Sequence, residues 1–200
     1  MDLELKVQLV EKLFAQLEEE GAQFQQSSGL GCASGCGKCC TYPQIEASPL
    51  EFLPWAFHLF LSGKAENMLD ALNGEHGSTC FLLKPVSVVD QGHCDTYAYR
   101  GLICRLFGFA ANRDKYGSMR LVTCKIISEG QAANYRSVSE AITKGLYVPV
   151  FTDYYMQLNQ IDFHLGNRMV PVNKALKMAV EEVLHYYSYR PIPDADKCCL

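Results

Sequence analysis

Hydrophobic residues near the start of the chain recur at helical spacing. From Leu3 to Phe24 they are separated by alternating gaps of three and four positions, with one longer gap across Gly21, and Glu and Gln fill the other faces. This periodicity predicts an amphipathic first helix. A polar run at residues 25–29 ends the pattern, so residues 1–31 are interpreted as an N-terminal helix and linker.

The next two segments carry loop and helix-start signals. Glycines at positions 29, 31, 35 and 37 favour a tight loop over residues 32–40. Residues 48–51 have the form of a helix start, with Ser48 as the N-cap, Pro at the first helical position and Glu51 placed to close a capping box. Pro54 then limits or kinks that helix.

The second half of the chain changes from a hairpin pattern to a helical one. Residues 105–110 and 119–123 flank a polar segment with turn chemistry, which predicts a short hairpin carrying cysteines on both arms. From about Ser137 the spacing becomes helical, through residues 150–163 and then 173–187 behind an Asn cap.

These elements predict an α+β fold that is mainly helical, in a single domain over residues 1–200. A metal-centred, cysteine-rich core with a short β-hairpin would occupy residues 32–125, and a packed helical C-terminal part would occupy residues 126–200. A chain of 200 residues that is 48% hydrophobic is long enough to bury a real core.

Charge and hydropathy argue against several kinds of partner. A net charge of −4 and a pI near 5.7 give no general case for binding nucleic acid, which needs clustered Lys and Arg. The segment from Met1 to Lys6 lacks the basic start and apolar stretch of a secretory signal, and no window reaches the roughly 18 apolar residues of a membrane span. We therefore expect a cytoplasmic protein with no membrane partner.

Cysteine usage changes this picture of an ordinary globular chain. In a reducing compartment, ten cysteines indicate metal binding or redox chemistry, and a disulfide framework is the alternative if the protein is exported. Cys36 and Cys39 form the best-defined ligand pair, because their spacing lets a tight turn aim both thiolates at one ion. The predicted metal ligands are Cys32, Cys36, Cys39, Cys40, Cys80, Cys94, Cys104 and Cys124.

Soft sulfur donors select zinc, iron–sulfur clusters or copper(I) over hard cations. Eight thiolates suit two four-cysteine sites, one polynuclear cluster, or one four-cysteine site with additional redox or structural thiols. Cys39 and Cys40 are adjacent, and neighbouring side chains generally diverge, so one of them is expected to have another role. The two cysteines near the C-terminus, Cys198 and Cys199, are interpreted as part of a frayed tail, or alternatively as thiols that a mobile tail delivers.

Charged and aromatic residues lie close to the cysteines in sequence. Arg100 and Arg105 flank Cys104, where they could offset thiolate charge or hold an anionic substrate. With Tyr97 they are the predicted cofactor-binding residues. His93 is a weaker candidate for a nitrogen ligand, and no catalytic residue is assigned.

The order of these residues resembles a known family. Cys32-Ala-Ser-Gly-Cys36-Gly-Lys-Cys39-Cys40, then Cys80-Phe-Leu, then Cys94-x-x-Tyr97-x-x-Arg100-x-x-x-Cys104-Arg105-x-Phe107 are similar to the CxxCxxCC, or YkgJ-like, cysteine cluster family. Cys124 resembles the family's last cysteine. Two features differ: the first gap holds three residues rather than two, and Gly101 stands where the family has a proline.

The resemblance implies chelation of zinc or iron over residues 32–125. Many family members are labelled iron–sulfur oxidoreductases, and some related proteins work with protein methylation. We expect an iron–sulfur cluster, with 4Fe–4S favoured, that serves electron transfer or modification of a peptide or small molecule. The alternatives are a zinc-binding structural or partner-binding module without catalysis, and a thiol–disulfide redox protein acting through Cys39 and Cys40. The partner would be an unidentified peptide, protein or small molecule.

Overall fold

The computed structural model of the protein describes residues 1–33, 35–74, 77–85 and 92–193. Within these ranges the helices are α1 (Leu3–Ser28), α2 (Leu53–Leu61), α3 (Ala65–Asn73), α4 (Leu102–Leu106), α5 (Lys125–Gly130), α6 (Ala132–Thr143), α7 (Phe151–Ile161), α8 (Phe163–Gly166) and α9 (Val172–Tyr187). The strands are β1 (Glu46–Ala47), β2 (Leu83–Pro85), β3 (Gly92–Cys94), β4 (Ala110–Arg113), β5 (Met119–Val122) and β6 (Val170–Pro171). Short 3-10 turns span Lys38–Thr41, Pro49–Phe52 and Tyr97–Tyr99.

The predicted first helix is confirmed, and its ends have clear causes. Asp2 caps the N-terminus by accepting a hydrogen bond from the Leu5 backbone N–H at 2.9 Å. Gly29 ends the helix in a left-handed conformation with φ of 65°, and its N–H donates to the Gln25 carbonyl. The apolar face of the helix is buried from Leu3 to Phe24.

Two hydrophobic clusters hold the helices together. The larger cluster packs α1, α2 and α9, with the Trp55 and Leu176 side chains almost fully buried. The smaller cluster lies between the end of α1, the β4–β5 hairpin and the helices that follow the hairpin. Its buried members are Phe24, Leu30, Ala111, Leu121, Ile127, Val138, Ile142 and Val148.

The described strands form three separate two-stranded antiparallel pairs. β1 pairs with β6, β2 with β3, and β4 with β5. The described residues are 59% helical, so the predicted mainly helical α+β class is confirmed. No helix in the described ranges is long and apolar enough to cross a membrane.

Several details differ from the predicted elements. The hairpin is present, but its arms carry no cysteine: Cys104 lies in α4, which begins directly after Gly101, and Cys124 follows β5 as the residue before α5. The helix predicted from Ser137 begins earlier, at Ala132. The division into residues 1–31, 32–125 and 126–200 stays a prediction, and Cys198 and Cys199 lie outside the described residues.

The predicted helix start at residues 48–51 is also present, as a 3-10 turn that continues into α2. The Ser48 N–H donates to Glu51 Oε1 at 2.8 Å, which is the backbone half of the predicted capping box. Pro54 lies in the first turn of α2, where a missing N–H costs no helical hydrogen bond.

Candidate metal centre

The eight cysteines between residues 32 and 124 meet at one cavity. Its volume is about 620 Å³, and its lining includes Cys32, Cys36, Cys39, Cys40, Cys80, Cys94, Cys104 and Cys124. The thiols are free, and they reach the cavity from separate parts of the chain: the glycine-rich loop, the 3-10 turn after it, the loop before β2, the end of β3, α4, and the residue before α5. Folding thus places residues up to 92 positions apart around one cavity, from Cys32 to Cys124.

Close backbone packing brings the glycine-rich loop to the β2–β3 pair. The Cys80 N–H donates to the Cys40 carbonyl at 3.2 Å, and Leu83 pairs with Cys94 across β2 and β3. Gly37 lies directly against Gly92, because a Cβ placed on Gly37 would come within 2.8 Å of the Gly92 carbonyl carbon and oxygen. Glycine at position 37 therefore permits the contact that joins the Cys36–Cys39 turn to the strand that carries Cys94.

The eight thiols are suitable ligands for a thiophilic metal, although their arrangement is not that of a complete coordination site. Within the part of the chain that the structure describes, no group of three or more His, Cys, Asp or Glu side chains is arranged so that it could hold a metal ion. Soft sulfur donors in this number nevertheless suit zinc or iron. Which of the thiols are ligands stays a prediction, and so does a role for His93, which also lines the cavity.

The thiols fall into two groups according to their electrostatic neighbours. Besides burial, the charges of Cys36, Cys124 and Cys39 raise the pKa of the Cys32 thiol. The pKa of Cys104 is instead raised, besides burial, by the charges of Cys80, Cys39 and Cys94. The pKa of Cys40 is raised, besides its hydrogen bond with Cys39 and burial, by the charges of Cys39, Cys104 and Cys80. Cys39 affects both Cys32 and Cys104, so it belongs to both groups.

Cys39 and Cys40 do not diverge as expected for neighbouring residues. Both line the cavity, and their thiols share a hydrogen bond within the 3-10 turn Lys38–Thr41. This hydrogen bond from Cys40 lowers the pKa of Cys39 to about 6, and Arg100 adds to the effect. The same hydrogen bond, together with burial, raises the pKa of the donor Cys40.

Burial acts in the opposite direction on the deeper thiols. It raises the pKa of Cys80 to about 11, and it raises the pKa of Cys104, to which neighbouring thiols and Glu51 add. The pKa of Cys32, which lies nearer the surface as an exposed residue, is raised as well, first by partial desolvation of its thiol and then by the neighbouring thiols. These thiols stay protonated at neutral pH unless a cation replaces their protons, which is the exchange that metal binding performs.

Comparison with known families agrees with this geometry. Residues 31–125 match the CxxCxxCC family, whose description reads "Putative zinc- or iron-chelating domain". The matched residues 31–125 are referred to as the CxxCxxCC domain. The match includes all eight cysteines that line the cavity. No curated protein and no solved structure showed a significant match to the chain.

The two arginines of the CxxCxxCC domain differ in how they are held. Arg105 is buried, and its guanidinium donates to Glu18, to the Arg100 carbonyl at 3.0 Å and to the Ala98 carbonyl at 2.6 Å. These contacts fix Arg105 between α1 and the segment before α4. Its charge is matched by the Glu18 carboxylate.

Arg100 retains more capacity to bind a group in the cavity. Its guanidinium stacks on the Tyr97 ring at 4.2 Å from the centroid, and Nη1 donates to the Tyr97 hydroxyl. Nη2 is 4.0 Å from Glu18, and the buried Nε has no hydrogen-bond partner. Both Arg100 and Tyr97 line the cavity, but the cofactor-binding role predicted for them and for Arg105 stays a prediction.

A buried carboxylate that the sequence did not single out as functional supports the Cys104 helix. Glu51 is fully buried, and its Oε2 accepts from the Ile103 N–H at 2.9 Å. Its Oε1 accepts from the Ser48 N–H and from the Tyr155 hydroxyl at 3.2 Å. Burial raises the pKa of Glu51, and the three donors favour its charged form. The capping-box pattern was a signal for Glu51, but only for its contact with Ser48.

Two side-chain amides outside the CxxCxxCC domain bind the loops on which cysteines lie. Gln131 exchanges two hydrogen bonds with the backbone of Gly31, next to Cys32. Asn173 binds the backbone on both sides of Cys80. Asn173 was predicted to cap α9, yet the cap position is Pro171 and the Asn173 amide is used by the Cys80 loop instead. Gln131 carried no signal in the sequence.

Proposed function

We propose that the protein is a metal-binding protein whose CxxCxxCC domain holds an iron–sulfur cluster, with 4Fe–4S favoured, through thiolates of this cavity. The observation that carries the proposal is the convergence of eight cysteines on one cavity. The family description supports zinc or iron as the metal. When bound, an iron–sulfur cluster would supply electron transfer or Lewis-acid chemistry.

The size and lining of the cavity support a reacting partner beside the cluster. A volume of about 620 Å³ lies within the range of small-molecule sites, roughly 300–1,000 Å³. The lining includes the cation of Arg100, the aromatic ring of Tyr97 and the apolar rings of Phe107 and Phe109. Such a lining suits a small molecule or peptide that carries an anionic group.

Zinc chelation without catalysis is the second candidate, and one observation favours it. Eight free thiols line one cavity, which is the number that two four-cysteine zinc sites require. Closed four-cysteine sites are typical of structural zinc. In this case the helices outside the CxxCxxCC domain would serve as the surface for a protein partner.

Metal analysis of anaerobically purified protein tests both candidates. Iron and acid-labile sulfide in equal amounts, with visible charge-transfer absorption, would support the iron–sulfur proposal. Colourless protein with two zinc ions per chain, even after expression in iron-rich medium, would refute it in favour of zinc. Protein that binds neither metal, yet exchanges disulfides with a dithiol substrate, would indicate thiol–disulfide chemistry instead.

A pair of cysteine variants tests the assignment of the cavity. Cys36→Ser removes a thiolate from the pair with the best ligand spacing, so the metal content and the stability of the protein should fall together. Cys198→Ser is the control, because Cys198 lies outside the CxxCxxCC domain, and metal content should not change. Full metal content in Cys36→Ser would contradict the assignment.

A further inference from the structure

We infer that Gln131 and Asn173 are positioning residues of the metal centre: each clamps the backbone next to one cysteine of the cavity. The inference rests on the proposed metal binding. Both residues lie beyond residue 125, so they are outside the CxxCxxCC domain. Each acts on a loop that is about 90 to 100 positions away in sequence.

Gln131 holds the residue immediately before Cys32. Its Nε2 donates to the Gly31 carbonyl at 2.7 Å, and its Oε1 accepts from the Gly31 N–H at 3.3 Å. The side-chain amide thus pairs with the backbone as a neighbouring strand would, using one donor and one acceptor on each side. Two simultaneous hydrogen bonds fix both the position and the orientation of the Gly31 peptide groups.

The position of Gln131 in the chain explains how its hydrogen bonds to Gly31 bring two cysteines together. Cys124 is the residue before α5, and Gln131 is the residue directly after it. The ends of this short helix are fixed, since Ser128 N–H donates to the Cys124 carbonyl and Gln131 N–H donates to the Ile127 carbonyl, both at 3.0 Å. The distance from Cys124 to Gln131 is therefore set by α5, and the clamp on Gly31 brings Cys32 to Cys124.

Asn173 holds both sides of Cys80. Its Oδ1 accepts from the Phe81 N–H at 2.8 Å, and its Nδ2 donates to the Thr79 carbonyl at 2.8 Å and to the Gly77 carbonyl at 3.3 Å. Asn173 itself is fixed, because it lies in the first turn of α9, whose buried face belongs to the larger hydrophobic cluster. The rigid helix thus locates a loop that has no regular structure of its own at Cys80.

The clamps matter for metal binding because thiolates must be held in place before they bind tightly. A single hydrogen bond contributes little to the net free energy of folding, so we expect the protein to fold without either amide. Residues that orient ligands without touching the metal, however, typically change metal affinity by about 10–100-fold. We expect Gln131→Ala and Asn173→Ala each to release metal about 10-fold faster while remaining folded.

The test measures release of Co²⁺, which binds thiolates and gives each site a visible spectrum. Reduced protein is loaded with Co²⁺ alone, and the rate of transfer to a chelator is followed for the wild type, Gln131→Ala, Asn173→Ala and the control Gln16→Ala. Gln16 is a matched amide whose Nε2 binds Glu20 on the same helix, away from the cysteines. Release from the control should equal that from the wild type.

Two further measurements separate positioning from general stability. Gln131→Glu keeps an acceptor for the Gly31 N–H but replaces the donor to the Gly31 carbonyl, so it should release Co²⁺ as fast as Gln131→Ala. In the metal-free protein, amide hydrogen exchange should rise locally, around Cys32 in the Gln131 variants and around Cys80 in Asn173→Ala. A purely structural role would instead raise exchange throughout α1 and α9.

The outcomes distinguish this inference from the function on which it rests. If the wild type binds Co²⁺ and every variant releases it at the rate of Gln16→Ala, the inference is wrong and the proposed metal binding stands. If the wild type binds no Co²⁺, zinc or iron, the proposed function is wrong and the inference falls with it. Faster release together with local exchange in the matching loop would establish the clamps.

Discussion

The contact between Gly37 and Gly92 gives the sharpest prediction about the cysteine cavity. Gly37 has a φ of −87°, which any residue can adopt, so Gly37→Ala introduces no backbone strain. The substitution adds one methyl group, and that group would lie 2.8 Å from the Gly92 carbonyl carbon and oxygen and 3.0 Å from Leu83 Cδ1. The steric effect of the substitution is therefore isolated from any conformational one.

The size of the effect follows from these distances. A gap of 2.8 Å is 0.6 Å short of the 3.4 Å at which ordinary van der Waals contact begins, and the obstacle is backbone that cannot rotate away. The Cys36–Cys39 turn must therefore move from β3 by about this distance. Overpacking of this kind costs about 1–3 kcal/mol of unfolding free energy. A ligand site tolerates displacements of only about 0.5 Å, so we also expect metal affinity to fall by about 10-fold or more.

Denaturant unfolding of the metal-free, reduced protein and competitive metal titration measure the two effects separately. Gly31→Ala is the control, since its Cβ would meet nothing within 4 Å and its backbone contacts with Gln131 would be retained. Gly31→Ala should match the wild type in both assays. Wild-type stability and metal affinity in Gly37→Ala would show that the loop and β3 are not packed this closely, which would refute the reasoning.

Three other changes test the packing around the site. Glu51→Ala should lower the free energy of unfolding by about 3 kcal/mol in a urea titration, since two backbone N–H groups lose their acceptor at about 1–3 kcal/mol each; a loss below about 1 kcal/mol would contradict its role. Burial alone would raise the pKa of Asp162, but hydrogen bonds from Lys6 and from backbone N–H groups lower it below 3.8. The stabilisation from Asp162 is therefore complete above that value and lost as pH falls through the folded pKa, and Asp162→Asn should flatten this acid limb of the stability profile. Tyr187→Phe keeps its ring packing but loses the 2.6 Å hydrogen bond to Glu4, so thermal unfolding should show a loss of about 1–2 kcal/mol, and an unchanged transition would argue against this bond.

Local signals in the sequence predicted the elements that short stretches determine. The periodic apolar face of α1, the turn chemistry between β4 and β5, and the capping pattern at Ser48 each involve residues within a few positions of one another. Such patterns constrain the backbone directly, which is why these elements were found. The short helix α4 was missed because its five residues follow Gly101 in a run that reads equally well as a strand.

The convergence of the cysteines depends on contacts that no local pattern contains. Cys80 meets Cys40 through a backbone hydrogen bond, and Asn173 reaches the Cys80 loop from more than 90 positions away. An Asn at the start of a helix usually caps that helix through its side chain. The sequence therefore suggested a hydrogen bond at the start of α9, whereas the Asn173 amide binds the distant Cys80 loop. The Glu51 carboxylate has two acceptor oxygens. The capping pattern predicted a hydrogen bond from Ser48 to one of them but gave no sign of the hydrogen bond from Ile103 to the other.

Two cysteines of the cavity lie close in sequence to residues of the smaller hydrophobic cluster. Leu30 of that cluster lies two residues before Cys32, and Leu121 and Ile127 lie three residues on either side of Cys124. With eight buried residues, this cluster has little apolar area of its own compared with the larger one. Coordination of a metal by Cys32 and Cys124 would join its two sides and contribute binding free energy to its folding. The hydrogen bond from Gln131 to Gly31 joins the same two sides of the cluster through the backbone. Metal binding and the Gln131 side chain would therefore stabilise the same contact between these two parts of the chain.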